Sequence, residues 1–329
     1  MKKSRKKDHL SKFHPEDLDR LKRCLKANGL DPDKLTPRNG STHLDLRVGN
    51  RILHFVDRRG GSIARVVLNS EGRITTLDSS HIRLSEELFQ FPHLKEIDVK
   101  HRGPFTIPDD MACTGLERFI VKDLGNARLE NLEVLKRLEN LRELSVDFPI
   151  GTFRLSDFKR LESLVLKHSE VHIDTVGVLT GFRFEDCTVY IDPDLVFHKV
   201  DDLDFIRCDI RSIGKTMSSQ FPNLEMLVLE ELTLPEGWCD LDRMTKIYML
   251  YLKKVNLPEF ESLENLPLGN SNYVTFSYLP WKRFPRIRPS ARNVDVFGMD
   301  DVELPEGLFR CSACPQVHTE LDREKVRDK

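Results

Sequence analysis

One short pattern recurs along most of this chain, and it restricts the possible folds more than any other feature. Three apolar residues stand at the first, fourth and sixth places of a six-residue stretch, as in Leu94/Ile97/Val99, Leu141/Leu144/Val146, Leu161/Leu164/Leu166 and Leu224/Leu227/Leu229. Looser copies lie between them: Leu116/Phe119/Val121, Leu179/Phe182/Phe184, Val200/Leu203/Phe205, Ile247/Leu250/Leu252 and Tyr273/Phe276/Tyr278. Partial copies at Ile74/Leu77 and Val294/Val296 complete eleven, with starts at 74, 94, 116, 141, 161, 179, 200, 224, 247, 273 and 291. At 39% hydrophobic composition one copy arises easily by chance. About ten in series arise on the order of 1 in 10,000 times. The alternation at the end of each copy reads as a short strand with one buried face. A lone strand of this length cannot bury that face, so strands repeating every 18 to 26 residues must stack into a solenoid.

The pattern resembles the strand signature of the leucine-rich-repeat superfamily over roughly residues 74 to 310. The resemblance implies an α/β solenoid, a horseshoe whose parallel strands line the concave face. It also implies a non-catalytic recognition or scaffold role. Members place Asn or Cys three residues after the last core position and an apolar residue two further on. Here Cys187 precedes Val189, Cys208 precedes Ile210, Leu232 precedes Leu234 and Val255 precedes Leu257. A connecting phrase also recurs, at 84–89, 234–238 and 304–309. The ladder Asn is absent, with Arg102, Pro149 and Ser169 in its place, which predicts an uneven, locally distorted solenoid.

Upstream of the repeats, a helix is predicted from His14 and Pro15, with Leu18, Leu21 and Leu25 on one face and Gly29 as its stop. Alternating segments at Leu44/Leu46/Val48, 51–56 and 63–68 follow, the last two joined through Gly60 and Gly61. A solenoid must cover the apolar end of its first repeat, and residues 14–72 suit that cap as a helix plus a small antiparallel sheet. The expected organisation is a disordered basic tail over 1–13, the cap, a solenoid of about 10–11 repeats over 73–310, and a tail over 311–329.

The net charge of −2 with 32% charged residues reads as a well-solvated surface, and no apolar run is long enough to span a membrane. The basic start lacks the apolar segment of a signal peptide, and seven scattered cysteines suit a reducing compartment. The expected location is therefore cytoplasmic. Residues 1–40 carry 12 Lys/Arg against 6 Asp/Glu, a balance of +6 that leaves −8 for the rest.

Residues between the core positions of each copy emerge on the strand face. In the early copies these are mainly polar, such as Glu96, Asp98, Arg118 and Glu143. In later copies Met226, Val228, Met249 and Tyr251 form an apolar patch bordered by Asp202, Asp204, Glu230 and Lys253, with Thr275 and Ser277 as the next pair. Apolar clusters rimmed by charge suit protein contact, so this patch is the candidate site for an unidentified protein partner. Oligomeric state is left open.

Other motifs carry less. Gly214-Lys215-Thr216 evokes a phosphate loop, but Asp209 stands where that loop needs glycine. Cys311, Cys314 and His318 would supply three zinc ligands with no fourth in the remaining chain. Cys187 and Cys208 fall at a structural position, and His168 and His172 are not paired on a helix. No arrangement points to catalysis, and no cofactor is expected. Lys2, Lys3, Arg5, Lys6 and Lys7 would hold nucleic acid without sequence preference, which gives a second reading as a nucleic-acid- or ribosome-associated protein.

Overall fold

A computed structural model describes residues 10–34, 36–40, 51–56, 62–211, 215–257, 265–266, 273–280, 286–287, 293–297 and 316–319. The chain divides into two compact units, Met1–Ile150 with Asp157–Leu161, and Gly151–Ser156 with Glu162–Lys329.

In the first unit the predicted helix forms at Pro15–Ala27, with proline in its first turn, Glu16 and Asp17 at its positive end, and Gly29 at φ 69° just beyond it. Leu21, Cys24 and Leu25 face inward as the spacing requires. Leu18, expected among them, is only half-buried, and Asp17 is buried in its place. The carboxylate has a specific task. Its Oδ2 accepts the Ile74 N–H at 2.8 Å, while Oδ1 meets Arg20 at 3.2 Å and Arg73 at 3.3 Å. A buried charge is tolerable only with such partners. Gly72 closes the same corner: a Cβ there would lie 2.3 Å from the Lys12 carbonyl oxygen, and its own carbonyl accepts from His14 N.

Strands Thr36–Gly40, Arg51–Val56, Ser62–Leu68 and Ile74–Ser79 pair antiparallel in that order. The segment around Leu44, Leu46 and Val48 lies outside the described residues. From Ile74–Ser79 onward the pairing is parallel, through Glu96–His101 and Arg118–Asp123 to Glu143–Val146, with Leu77, Ile97, Phe119 and Leu144 in register. Ser79 occupies a core position of the first copy, and its hydroxyl bonds the Ile63 carbonyl at 2.6 Å. The turns after the second and third strands of this parallel series use Gly103 and Gly125, at φ 79° and 113°.

Among the described residues the second unit stacks eight parallel strands: Ser163–Lys167, Gly181–Glu185, Asp202–Ile206, Met226–Glu230, Met249–Lys253, Tyr273–Ser277, Asn293–Phe297 and Gln316–Thr319. The last falls within the residues expected as a tail. Beneath these strands Phe182, Phe184, Phe197, Phe205 and Phe221 interlock with ring centroids 5.1 to 6.3 Å apart. A second, narrower parallel sheet follows the turns: Thr152–Arg154, Glu170–Ile173, Thr188–Ile191 and Asp209–Ile210.

Two expectations need correction here. The turns of this unit are even, not distorted. His168, Asp186, Arg207, Glu231, Lys254 and Tyr278 each sit two residues past the last core position, all left-handed at φ 50 to 54°. From His168 to Lys254, each donates its N–H to a carbonyl of the next repeat at 2.7 to 2.9 Å. Those carbonyls are thus satisfied without an Asn ladder. Cys187 and Cys208 add weak thiol donation to the carbonyls of Leu166 and Phe184. The second correction concerns register. Leu250 pairs with Val274 and Leu252 with Phe276, so the tenth copy is centred on Val274/Phe276 and starts at Ser271. Tyr273 and Tyr278, read as core, are 55% and 52% exposed.

The repeated strand, its register and its buried triplets define a solenoid of stacked parallel strands, the architecture the repeat pattern implies.

Candidate functional site

In-register pairing turns sequence positions into lateral rows about 4.8 Å apart. In the second unit one row runs Gly181, Asp202, Met226, Met249, Tyr273, and the next runs Arg183, Asp204, Val228, Tyr251, Thr275. The four apolar residues predicted as a patch are therefore true neighbours, Met226 beside Met249 and Val228 beside Tyr251. Each is half-buried on the outward face, over core leucines that are almost fully buried. The register correction replaces the expected pair Thr275/Ser277 with Tyr273/Thr275, which adds the most exposed large apolar side chain among the described residues. The spacing alone did not choose, since intervals of both 18 and 20 residues occur elsewhere in the chain.

The four flanking charges differ in how well they are satisfied. Glu230 and Lys253 face each other across the strands and form an ion pair. Asp202 and Asp204 share one strand and one face. Asp204 meets Arg183 at 3.6 Å, beyond hydrogen-bond distance. Burial and the neighbouring Asp202 push its carboxyl up to about 6. Asp202 is raised in the same direction by burial and by Asp201, and its Oδ1 has no hydrogen-bond partner among the described residues. Gly181 lies beside it in the row, where a Cβ would stand 3.2 Å from the Asp202 Cβ.

The face of the first unit contrasts with this. Arg118 bridges Glu96 and Glu143 at 3.4 and 2.6 Å, and Lys122 meets Asp98 at 3.0 Å. Asp78, beside Asp98 in the row, has no ion pair among the described residues, and burial and Asp98 raise its carboxyl.

Lys2, Lys3, Arg5, Lys6, Lys7, Cys311 and Cys314 lie outside the described residues, and His318 falls in the strand Gln316–Thr319. Lys215 bonds the Asp194 carbonyl at 2.9 Å, and Thr216 precedes the short helix Met217–Gln220. His172 pairs with Glu170 and stacks on Tyr190. No group of three metal-ligating side chains is found among the described residues, and no helix there is long and apolar enough to cross a membrane.

No family model matches this sequence, and no curated protein matches it. Among solved structures, it is similar to an internalin (inlF) from Listeria monocytogenes, with 13% identity, a TM-score of 0.38, and 76% of this chain and 90% of that one covered. It is also similar to the plant peptide hormone receptor RGFR1 in complex with RGF2, with 12% identity, a TM-score of 0.38, and 75% and 49% covered. The fold assignment rests on this chain's own strand register.

Proposed function

We propose that the protein is a recognition module that captures a protein partner on the strand face of its second unit. The observation that carries this reading is the pair of lateral rows that hold Met226, Val228, Met249, Tyr251 and Tyr273 outward over a filled core. A strand face needs no such side chains for stability, because the layer beneath is already closed. Methionine and tyrosine suit contact surfaces, the first through its adaptable thioether and the second by combining apolar area with a polar tip. The five described cysteines are buried free thiols, which supports the cytoplasmic reading.

The test is affinity capture from native lysate, after nuclease treatment, with wild type, Met226→Glu and Tyr251→Glu. Stoichiometric capture by wild type and at least about tenfold less by either variant is expected, because a buried unpaired carboxylate opposes docking. Equal capture by all three removes this face from consideration. Capture that vanishes on nuclease treatment favours the second reading, through the basic arm.

A further inference from the structure

We infer that the partner presents an extended segment with a lysine or arginine two and four residues before apolar side chains, laid across the strands with its cation on Asp202 and Asp204. This deepens the proposed function and rests on it. Two observations carry it, one electrostatic and one geometric.

The electrostatic observation is a pair of acids on one strand of the face that no close hydrogen bond satisfies among the described residues. In the first unit Arg118 answers Glu96 and Glu143 and Lys122 answers Asp98, while Asp78 has no ion pair among the described residues. In the second, Lys253 answers Glu230. Asp202 and Asp204 stand side by side with only Arg183, itself half-exposed, at 3.6 Å. Asp202 Oδ1 is buried with no hydrogen-bond partner among the described residues. Apart from that long ion pair, neither carboxylate accepts a side-chain or backbone hydrogen bond among the described residues, unlike Asp17. The row position beside Asp202 is Gly181, so no side chain occupies that flank. An incoming ammonium or guanidinium group would find a partly desolvated anion pair, where charged hydrogen bonds are strong.

The geometric observation is spacing. From the Asp202 strand to the Tyr273 strand is three inter-strand steps, about 14 Å. An extended segment places side chains of one face about 6.8 Å apart, so its first, third and fifth residues also span about 14 Å. With the first over the aspartates, the third falls between Met226 and Met249, and the fifth reaches Tyr251 and Tyr273. Charge at one end of the patch and aromatic rings at the other set the direction of the segment.

The experiment pans a phage library of random linear nonapeptides against the intact protein. Selected peptides, fluorescein-labelled, are then titrated by anisotropy against wild type, Asp202→Asn, Asp204→Asn and Tyr273→Ala. Enrichment of lysine or arginine followed at +2 and +4 by apolar residues is expected, with affinity falling about tenfold on either Asn variant and on Tyr273→Ala. The Asn variants keep side-chain shape and remove like-charge repulsion, so thermal melting separates lost binding from lost fold. Selection of segments without the cation, or no selection, overturns the inference. So does unchanged affinity on both Asn variants; if Tyr273→Ala still weakens binding, the face reading survives alone. Unchanged affinity on all three variants removes both.

Discussion

Asp17 and Asp204 are both largely buried carboxylates, yet they have opposite meanings. Asp17 is fully enclosed and fully used: one oxygen accepts a strand N–H and the other faces two guanidinium groups. Asp204 is partly buried beside a second acid, and its carboxyl rises to about 6 because burial and that neighbour disfavour the charged form. The consequence for stability has a definite sign. The folded state holds its proton more tightly than the unfolded state, so the ionised group destabilises the fold fully above pH ~6, and that cost fades as pH falls toward the unfolded value near ~3.9. Asp204→Asn is therefore expected to raise the melting temperature at pH 7.5 and to raise it less at pH 5, read by circular dichroism. A constant gain across that range would show that the carboxylate is better satisfied than its surroundings indicate.

The element that repeats most faithfully is not the strand but the turn after it. Six residues from His168 to Tyr278 share one left-handed backbone conformation, although their side chains are imidazole, carboxylate, guanidinium, ammonium and phenol. What they share is an N–H aimed at the next repeat, shown directly from His168 to Lys254. Their side chains alternate in sign, so that Asp186 meets Arg207 at 2.7 Å and Glu231 meets Lys254 at 2.7 Å. These pairs are exposed and contribute little; the backbone bond is the working part. Lys254→Gly should change stability by less than about 1 kcal/mol, since relief of Cβ crowding offsets the greater freedom of the unfolded chain. Lys254→Val should cost about 1–2 kcal/mol, because a β-branched residue tolerates the left-handed region least. Urea denaturation of both variants decides whether the conformation or the ion pair matters. Equal losses would favour the ion pair.

At the scale of the whole molecule, stability in a solenoid is a sum over neighbours, and the two compact units have their own cores. The second is built around a phenylalanine cluster in which Phe182 touches Phe184, Phe197, Phe205 and Phe221. Phe182→Ala should cost that unit about 3 kcal/mol. It should also split denaturation into two steps. Hydrogen exchange would then lose protection over residues 163–253 first while 74–146 keeps it. A single shifted transition would mean that the units unfold as one.

The sequence alone was sufficient for the apolar triplets, the parallel strand per repeat, the N-terminal helix and the location of Met226, Val228, Met249 and Tyr251. These follow from period and spacing, which are local properties that any stack of such strands must respect. It did not settle the frame of the tenth copy, because Tyr273, Val274, Thr275, Phe276 and Tyr278 offer apolar groups to both faces. A two-residue shift keeps the same alternation, and pairing with Leu250 and Leu252 is what chooses. Nor did it reveal Asp17 as a buried residue, the left-handed row, or the unanswered pair Asp202 and Asp204. Each of these is defined by a partner 17 to 57 residues away, or by the lack of one. Periodicity states which face a residue takes. Only the tertiary structure brings together the groups that decide whether a charge on that face is satisfied, and so whether it belongs to the fold or is held for something else.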